Sequence, residues 1–400
     1  MNSDEAHRSE YDEDDDVFAD EDGDVVDEGD MGEEGMDEGD MDEEGMGEED
    51  MGGAANQILL EDDSVQGFFA HKEPVFAVAL HPTQQSVAVS GGGDDRAYVW
   101  RLDSGEPVAE LERHSDSVSA VGFSSDGRLV ASGGMDGRVH VHGGDQWQQR
   151  TAVLEGPDEV QCLAWHPKGA VLLAGARDAT LWMWSLPAGD FMHVFHGHSA
   201  AVTCARFTNS GRHVVSGAED GALIVWDPKT AAIVRQFTST DERFHQAAIT
   251  ALDVARDDQT ILTGSVDCSA KLVHVNGSVL GSLNNASDSV EAVALSAGSL
   301  PLAATGSVDG SLSIWDVNTL RLRATLRHDD SVTRVMWHDD APLLTSVSMD
   351  ATVRTWDARS GDCVRVWRGH QAGILDAALA RDGRSVVTAS DDGCCLVFSV

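Results

Sequence analysis

Histidine, serine and aspartate recur in this sequence at spacings that could support nucleophilic catalysis. His198, Ser216 and Asp220 supply the imidazole, hydroxyl and carboxylate of a serine-hydrolase triad, in which the histidine activates the hydroxyl and the aspartate orients the histidine. The same set of residue types returns three times, as His71, Ser90 and Asp94, as His328, Ser346 and Asp350, and as His370, Thr388 and Asp392. An enzyme needs one such site, so four equivalent sets indicate a repeated structural unit.

Eight segments of similar length position these sets. The third predicted strand of each segment ends on an equivalent residue, at intervals of 42, 42, 42, 47, 42, 41 and 42: Trp100, His142, Trp184, Trp226, Val273, Trp315, Trp356 and Phe398. Six residues before each lies an aspartate: Asp94, Asp136, Asp178, Asp220, Asp267, Asp309, Asp350 and Asp392. Short apolar runs separated by turns indicate strands, and a period of ~40–45 residues with four strands is typical of a propeller blade. The sequence therefore predicts an all-β, eight-bladed β-propeller.

The two ends of the repeat region complement each other. Only Ser399 and Val400 follow Phe398, so the eighth unit lacks a fourth strand. The segment 65–71 (VQGFFAH) resembles that strand and includes the histidine that opens the next unit. Pairing it with the last unit would leave no long unpaired sheet edge. We therefore predict a ring closed by an N-terminal strand.

The charge of the chain is concentrated at its start. The sequence has 69 acidic and 27 basic residues, and residues 1–64 hold 29 of the acids with a single base, Arg8. Residues 1–57 contain few apolar residues to bury, so we predict a disordered acidic tail there and the propeller over residues 58–400. So negative a chain should repel nucleic acid and anionic membranes and should attract basic proteins.

The remaining composition points to an intracellular protein without a cofactor. The first residues, MNSDEAHRSE, do not form a signal peptide, and no segment reaches the ~18 apolar residues of a membrane span. Six cysteines without metal-ligand or disulfide spacing suggest buried thiols in a reducing compartment. His193, His196 and His198 are interpreted as a turn plus one scaffold histidine rather than a zinc site. We expect a monomer in the cytoplasm, with the nucleus as a second location, and no bound metal.

The chain resembles the WD-repeat family over residues 65–400. The resemblance rests on the pairs Trp226-Asp227, Trp315-Asp316, Trp356-Asp357, Gly197-His198 and Gly369-His370. The stretches AVSGGGDDRAYVWRLDSGE, VLLAGARDATLWMW and ILTGSVDCSAKLV are similar to one subfamily, that of angio-associated migratory cell protein and its yeast ribosome-assembly counterpart. The resemblance implies a non-enzymatic scaffold. The yeast member cradles the basic N-terminal segment of a large-subunit ribosomal protein on an acidic face, and the animal members are linked to migration and signalling.

In this fold the triad-like residues are interpreted as buried hydrogen-bond networks. Each network would join a loop histidine, a strand hydroxyl and a turn aspartate and would end on the strand tryptophan. The predicted networks are His71, Ser90, Asp94 and Trp100; His198, Ser216, Asp220 and Trp226; and His328, Ser346, Asp350 and Trp356. Blades 2 and 5 have His142 and Val273 in place of the tryptophan, so we expect their networks to be incomplete and looser.

One face of the propeller is predicted to bind the partner. In each blade, the turn between the second and third strands lies at the same end as the loop that enters the next blade. The loops that enter the blades contain a single base, Lys72. At the opposite end, six bases offset six acids. One-sided negative potential favours association with a basic segment, although such acids can also be merely solvated. The predicted partner-binding residues are Glu73, Asp116, Asp158, Glu159, Glu219, Asp288, Glu291, Asp329, Asp330 and Asp391.

The acidic face favours a basic protein segment as partner, and the resemblance implies a dedicated chaperone for the basic N-terminal segment of a large-subunit ribosomal protein. Two alternatives remain at the level of the sequence. The residues 356–359 (WDAR) resemble the WD-x-R box of cullin-linked substrate receptors, which would make the protein a signalling or ubiquitin-ligase adaptor. A histone-type chaperone would use the same acidic face. Five extra residues before His245 fall on this face and are either a partner-contacting loop or a tolerated insertion.

Overall fold

The computed structural model describes residues 61–298, 300–339 and 341–400, so the predicted tail, residues 1–57, lies outside the described residues. In these ranges one short 3₁₀ turn, Asp145–Trp147, accompanies 32 β-strands. The strands form eight antiparallel four-stranded sheets, which are the blades of a propeller. The predicted all-β, eight-bladed architecture is confirmed. Within the same ranges, no helix has the length and apolar character needed to cross a membrane.

Each blade is built from consecutive strands a to d. In blades 1 to 4 these are Val75–Leu80, Val87–Gly92, Ala97–Arg101 and Pro107–Glu110; Val118–Phe123, Val130–Gly134, Arg138–Gly143 and Gln149–Glu155; Val160–Trp165, Val171–Ala176, Thr180–Ser185 and Asp190–His196; and Val202–Phe207, Val214–Ala218, Leu223–Asp227 and Ala232–Phe237. In blades 5 to 8 they are Ile249–Val254, Thr260–Ser265, Ala270–His274 and Ser278–Leu283; Val290–Leu295, Leu302–Ser307, Ser311–Asp316 and Arg321–Arg327; Val332–Trp337, Leu343–Ser348, Val353–Asp357 and Cys363–Trp367; and Ile374–Leu379, Ser385–Ser390, Cys395–Ser399 and the N-terminal Gln66–Phe68.

The ring is closed by the N-terminal strand, as predicted. Gln66–Phe68 pairs antiparallel with strand c of blade 8, with Gln66 opposite Val397 and Phe68 opposite Cys395. Phe68 is 1% exposed and its ring stacks on that of Trp100 in blade 1, with centroids 5.0 Å apart. The first strand therefore joins blade 8 through its backbone and blade 1 through its side chain.

The hydrophobic core is divided among the interfaces between blades. Each of the eight interfaces has its own cluster of buried apolar side chains, such as Val202, Ile224 and Trp226 between blades 3 and 4. Inner strands such as Val87–Gly92 and Leu302–Ser307 are buried along their whole length, because both faces of every blade pack on a neighbour. The stability of each blade therefore depends on the ring being closed.

Strands a line a central channel of about 430 Å³. The second residue of every strand a is bulged out of register with strand b, as at Thr203 in blade 4. A bulge changes the direction in which its side chain projects. The hydroxyl of Thr203 reaches the carbonyl of Ile249 in blade 5 at 2.6 Å, and that of Thr333 reaches Ile374 in blade 8 at 2.7 Å. These bonds connect neighbouring blades around the channel.

Two ion pairs between strands a also join neighbouring blades. Arg206 of blade 4 lies 2.8 Å from Asp253 of blade 5, and Arg334 of blade 7 lies 2.6 Å from Asp376 of blade 8. The second oxygen of Asp376 accepts the amide of Val78 in blade 1 at 3.0 Å. Each pair thus fastens neighbouring blades, and Asp376 links blades 7, 8 and 1 at the position of ring closure.

All six cysteines are free thiols. Burial raises the pKa of the Cys162 thiol to about 12, and Cys395 is fully buried. The expectation of buried thiols is wrong for Cys363, which is exposed because it lies on the outermost strand of blade 7. This strand covers the edge of the blade and itself has solvent on its outer side.

Candidate protein-binding face

The loop histidines, strand hydroxyls and turn aspartates form continuous networks between the strands. In blade 4, His198 contacts Asp220 through Nδ1 at 3.3 Å and Ser216 through Nε2 at 2.8 Å. The indole N–H of Trp226 donates to the same Ser216 oxygen at 2.8 Å. Asp220 also accepts the amide of Ser199 at 2.8 Å, so that one carboxylate fixes the loop and the turn together.

The network of blade 7 has the same geometry, with Ser346 Oγ 2.7 Å from His328 Nε2 and 2.8 Å from Trp356 Nε1, and Asp350 3.0 Å from His328 Nδ1. In blade 1, His71 reaches Asp94 and Ser90 at 2.9 Å each. The predicted end of that network on Trp100 is wrong, because the buried indole nitrogen of Trp100 has no hydrogen-bond partner.

The reason lies in ring closure. Phe68 lies nearly parallel to the Trp100 ring, at an interplanar angle of 8°, and makes edge contacts with His71 and Tyr98. Trp100 is therefore held by aromatic stacking between blades 8 and 1 rather than by a bond to Ser90. The cost of an unpaired indole N–H is offset by the burial of both rings.

Networks also exist in blades 2, 5 and 8, where the predicted tryptophan is absent. His114 joins Asp136 and Ser132, His245 joins Asp267 and Thr263, and His370 joins Asp392 and Thr388, at 2.6–3.0 Å. The networks of blades 2 and 5 lack the indole, as expected, but the expectation that they are looser is wrong: their histidine contacts of 2.8–3.0 Å fall within the 2.7–3.3 Å of blades 1, 4 and 7. The sequence contained the signal, since the hydroxyl follows the histidine by 18 residues in each case.

Aromatic packing replaces the missing tryptophan in these two blades. In blade 2 the His140 ring stacks on His114 at 4.1 Å, and Trp147 from the following turn enters the core beside Phe123. In blade 5 the buried Phe244 contacts the ring of His245 at 4.8 Å. The core at each site is therefore filled by a side chain from a different position in the repeat.

The burial of the hydroxyls separates these networks from a catalytic triad. The connectivity is that of a serine nucleophile, but Ser90, Ser216 and Ser346 are 0% exposed. In Ser216 and Ser346 the oxygen also accepts an indole N–H. A substrate carbonyl could not reach any of these oxygens, because attack requires an approach to within about 3 Å. The arrangement is that of a structural scaffold.

The turn aspartates place fixed negative charge under one face of the ring. Burial alone would raise their pKa values, but hydrogen bonds from the histidine, the loop amide and the turn amide outweigh it and lower the pKa of Asp220 and of Asp392 to about 2. The pKa of His328 is lowered by burial, which favours the neutral ring. Asp220 and Asp392 are therefore ionised at neutral pH, and the neutral ring of His328 is favoured, so these turn aspartates add negative charge to this end of the propeller.

Exposed acids repeat at one loop position on the same face. The position two residues before strand a is acidic in five blades, as Glu73, Asp116, Asp158, Asp288 and Asp330, and all five side chains are exposed. In blades 2, 6 and 7 the carboxylate accepts the amide of the following serine at 2.7 Å. Blades 4, 5 and 8 have alanine at this position. In blade 8 an exposed acid, Asp391, lies in the b–c turn instead.

These acids follow one another around most of the ring. We call the six residues Asp288, Asp330, Asp391, Glu73, Asp116 and Asp158, from blades 6, 7, 8, 1, 2 and 3, the acidic arc. Among the described residues, none of the six has a lysine, arginine or histidine nitrogen within 4.0 Å. The arc therefore presents charges that are available to a partner.

Two of the predicted binding residues are already paired within the chain. Arg177 in a b–c turn contacts Glu159 at 2.6 Å, and Arg354 on strand c contacts Asp329 at 2.8 Å. Lys72 is the single base of the loops between the histidine position and strand a, but Arg177 and Arg354 bring further positive charge to the same face. Counting only the loops between the histidine and strand a overlooked bases that reach the same face from neighbouring turns and strands.

The remaining predicted residues and the insertion lie beside the arc. Glu219 is exposed in the b–c turn of blade 4, whereas Glu291 on strand a of blade 6 is half-buried and accepts the Ser289 hydroxyl at 2.5 Å. The five-residue insertion is anchored by Phe244, and the side-chain amide of Gln246 donates to three of its carbonyls. The insertion is thus a compact loop on the same face.

The sequence of this chain is similar to those of known WD-repeat proteins. Residues 138–399 match the family model described as Nucleolar protein 10-like, N-terminal domain, and residues 63–101 and 105–142 match the WD domain, G-beta repeat. The chain is 38% identical to human angio-associated migratory cell protein, over 85% of this chain and 80% of that protein. It is 28% identical to the ribosome assembly protein SQT1 of Saccharomyces cerevisiae, over 86% of this chain and 89% of that protein.

A solved structure of a relative contains a bound partner. The Chaetomium thermophilum Sqt1 structure, bound to the N-terminus of the ribosomal protein L10, superposes with a TM-score of 0.80 at 29% identity. The match covers 85% of this chain and 100% of that chain.

Proposed function

Because the chain belongs to the family of WD-repeat propellers that includes angio-associated migratory cell protein, we propose that it is a non-enzymatic scaffold that binds a basic protein segment. The segment we infer is the N-terminal part of a large-subunit ribosomal protein, which the propeller would hold during ribosome assembly. In this role the protein would act in the cytoplasm, and binding would require neither a cofactor nor direct contact with nucleic acid.

The observation that carries this proposal is the acidic arc. Its six carboxylates are exposed and unpaired with bases of the described chain, and they lie on one face of a ring whose solved relative holds a ribosomal protein N-terminus. Arginine and lysine side chains would form charge-assisted hydrogen bonds with these carboxylates. The network aspartates beneath them would add to the attraction at longer range.

The rigidity of the ring supports the same function. The loops that bear Asp116, Asp288 and Asp330 are fixed by hydrogen bonds to the following amides, and the network aspartates hold the neighbouring loops to the turns. A preformed charged surface loses little conformational entropy on binding, so the ordering cost falls mainly on the partner segment. Such a surface is suited to a segment that is disordered before it binds.

Reversal of one arc charge tests the proposal. Asp330→Lys should sharply reduce recovery of a ribosomal protein bearing the basic N-terminal segment in a pull-down at ~0.15 M salt, because it replaces an attractive charge by a repulsive one. Asp382→Lys is the matched control: Asp382 is exposed at the opposite end of the ring and also accepts a local amide, that of Arg384 at 3.0 Å. Unchanged recovery with Asp330→Lys would refute the proposal.

Asp329→Lys/Asp330→Lys is a stronger but less specific change. It also places a lysine beside Arg354, whose contact with Asp329 is lost, so a loss of stability must be excluded by thermal unfolding. Mass spectrometry of partners that remain bound at moderate salt would separate ribosomal proteins from histones and cullin subunits. For Arg359, the amide contact with Asp357 at 2.8 Å is that of an ordinary turn, so no contact favours the cullin-adaptor alternative.

A further inference from the structure

Phe76 is a partly exposed aromatic residue beside the acidic arc. It is the second residue of strand a in blade 1, it lines the channel, and 36% of its surface is exposed. Its ring lies next to Gly93 in the b–c turn of the same blade, where an added Cβ would be 3.4 Å from the ring and 3.2 Å from a carboxylate oxygen of Glu73. Phe76 therefore lies at the mouth of the channel on the acidic face.

Phe76 lacks a hydrogen bond that the equivalent residues of four other blades form. In blades 2, 4, 5 and 7 this bulged position is serine or threonine, and its hydroxyl donates to the first strand-a carbonyl of the next blade. Phenylalanine cannot make this bond. Phe76 therefore lacks a hydrogen bond that joins neighbouring blades, and part of its phenyl group is exposed to water. The stability of the propeller does not account for a phenylalanine at this position.

A second apolar residue occupies the same position in the neighbouring blade. Leu375 is the second residue of strand a in blade 8, and it is partly buried. Strands a of blades 8 and 1 are in contact, so Leu375 and Phe76 occupy equivalent positions on neighbouring strands around the channel. Met349 of blade 7 packs over Gly373, two residues before Leu375, with its sulfur 2.6 Å from where an added Cβ would lie.

The charged surroundings indicate what could cover these residues. Glu73, Asp330 and Asp391 of the acidic arc belong to blades 1, 7 and 8, the blades that carry Phe76, Met349 and Leu375. A purely apolar occupant would leave these carboxylates desolvated and unpaired, which is costly. A segment with basic side chains on either side of an apolar one satisfies both kinds of surface.

We propose that Phe76 and Leu375 form an apolar subsite that selects basic segments carrying one leucine-sized or aromatic side chain among their arginines and lysines. This inference rests on the proposed function and adds to it the sequence character of the segment. The carboxylates provide attraction that any basic segment shares, whereas the subsite distinguishes one basic segment from another, because only an apolar side chain gains by covering Phe76.

Two synthetic peptides of equal length and charge test the subsite. Both consist of arginine, lysine and serine and differ at one central position, which is leucine in one and serine in the other. The full-length protein should bind the leucine peptide about tenfold more tightly at ~0.15 M salt, which corresponds to covering roughly 60 Å² of apolar surface. Fluorescence anisotropy of labelled peptides measures both dissociation constants.

Phe76→Ser should reduce this preference to about twofold or less and leave the dissociation constant of the serine peptide unchanged. The variant is expected to fold, because blade 2 has Ser119 at the same position. Leu375→Thr is the second variant, chosen because blade 7 has Thr333 at the same position, and it should lower the preference in the same direction. Phe191→Ser is the matched control, since Phe191 is 58% exposed on the outermost strand of blade 3, and it should retain the full preference.

The possible results separate the subsite from the proposed function. Equal binding of both peptides by the unaltered protein would overturn the subsite and leave the basic-segment function standing. Equal weakening of both peptides by Phe76→Ser would also overturn it, because that result would mean that Phe76 stacks on a guanidinium group instead. If neither peptide binds even at low salt, the proposed function fails together with the subsite.

Discussion

The strongest quantitative test of the acidic face is to remove three equivalent charges without changing the shape of the loops. Asp116, Asp288 and Asp330 occupy the same loop position in blades 2, 6 and 7, and each accepts the amide of the following serine at 2.7 Å. Asparagine has the same size, and its carbonyl oxygen can accept the same amide. The triple Asp→Asn variant should therefore keep its fold while losing three negative charges from one face.

The expected loss follows from the exposure of these side chains. All three carboxylates are exposed, so each pair with a basic group of a bound segment should contribute about 0.5 kcal/mol, the size typical of a surface ion pair. Three such pairs sum to about 1.5 kcal/mol, or roughly a tenfold increase in the dissociation constant at ~0.15 M salt. The difference in dissociation constant between the variant and the unaltered protein should shrink as salt is raised, because dissolved ions screen the attraction between the carboxylates and the basic segment.

The opposite face provides a matched control. Asp126, Asp257 and Asp382 are exposed in a–b turns, and each accepts the amide two residues further on, at 2.8–3.1 Å. Their triple Asp→Asn variant changes the net charge equally, and its asparagine oxygens can accept the same amides. Titration of the basic segment by fluorescence anisotropy should show about tenfold weaker binding for the first variant and less than about twofold for the second. Equal effects of the two variants would refute a localised binding face.

Three further predictions concern the scaffold. Ser216→Ala should lower the free energy of unfolding in urea by about 2–4 kcal/mol, because it leaves two buried groups without a hydrogen-bond partner. Ser90→Ala leaves one such group and should lower it by about 1–2 kcal/mol. Equal losses in the two variants would contradict the described networks. Deletion of residues 58–70 should give insoluble protein, and a soluble deletion variant with unchanged thermal melting would overturn the closure of the ring. Burial lowers the pKa of His142 to about 4, so the stability that its neutral ring provides is complete above pH 6.5 and is lost as the pH falls toward 4. His142→Phe should therefore lose less thermal stability than the unaltered protein between pH 7 and pH 5, and parallel losses would exclude this role.

The repeat made most of the fold predictable. Eight aspartates at intervals of 41 to 47 residues defined the blades, and the missing fourth strand of the last unit predicted the pairing of Gln66–Phe68 with Cys395–Ser399. These features depend on short-range patterns that return in every unit. The histidine and hydroxyl partners were predictable for the same reason, since a spacing of 18 residues, or 19 in blade 1, brings them together in blade after blade.

Features that break the repeat were not predictable. Trp100 has the sequence context of a network tryptophan, but Phe68 from the closing strand stacks on it, and no comparison of units reveals that contact. The pairing of Asp329 with Arg354 could not be predicted either, because the two residues lie in different elements, 25 positions apart. Whether an acid on a loop is free or paired depends on which arginine reaches it, and this is a property of the assembled blade.

The two classes of carboxylate on this face should therefore make different contributions to binding. Seven of the eight turn aspartates have lowered pKa values because hydrogen bonds to their ionised form outweigh burial. Since those bonds also occupy their oxygens, these carboxylates attract a basic segment at a distance but have little capacity left to pair with it. The acidic arc retains that capacity and should determine where the segment is held. Consequently the triple Asp→Asn variant should bind more weakly and yet keep a salt-dependent association rate, because the charge beneath the face is part of the scaffold and remains.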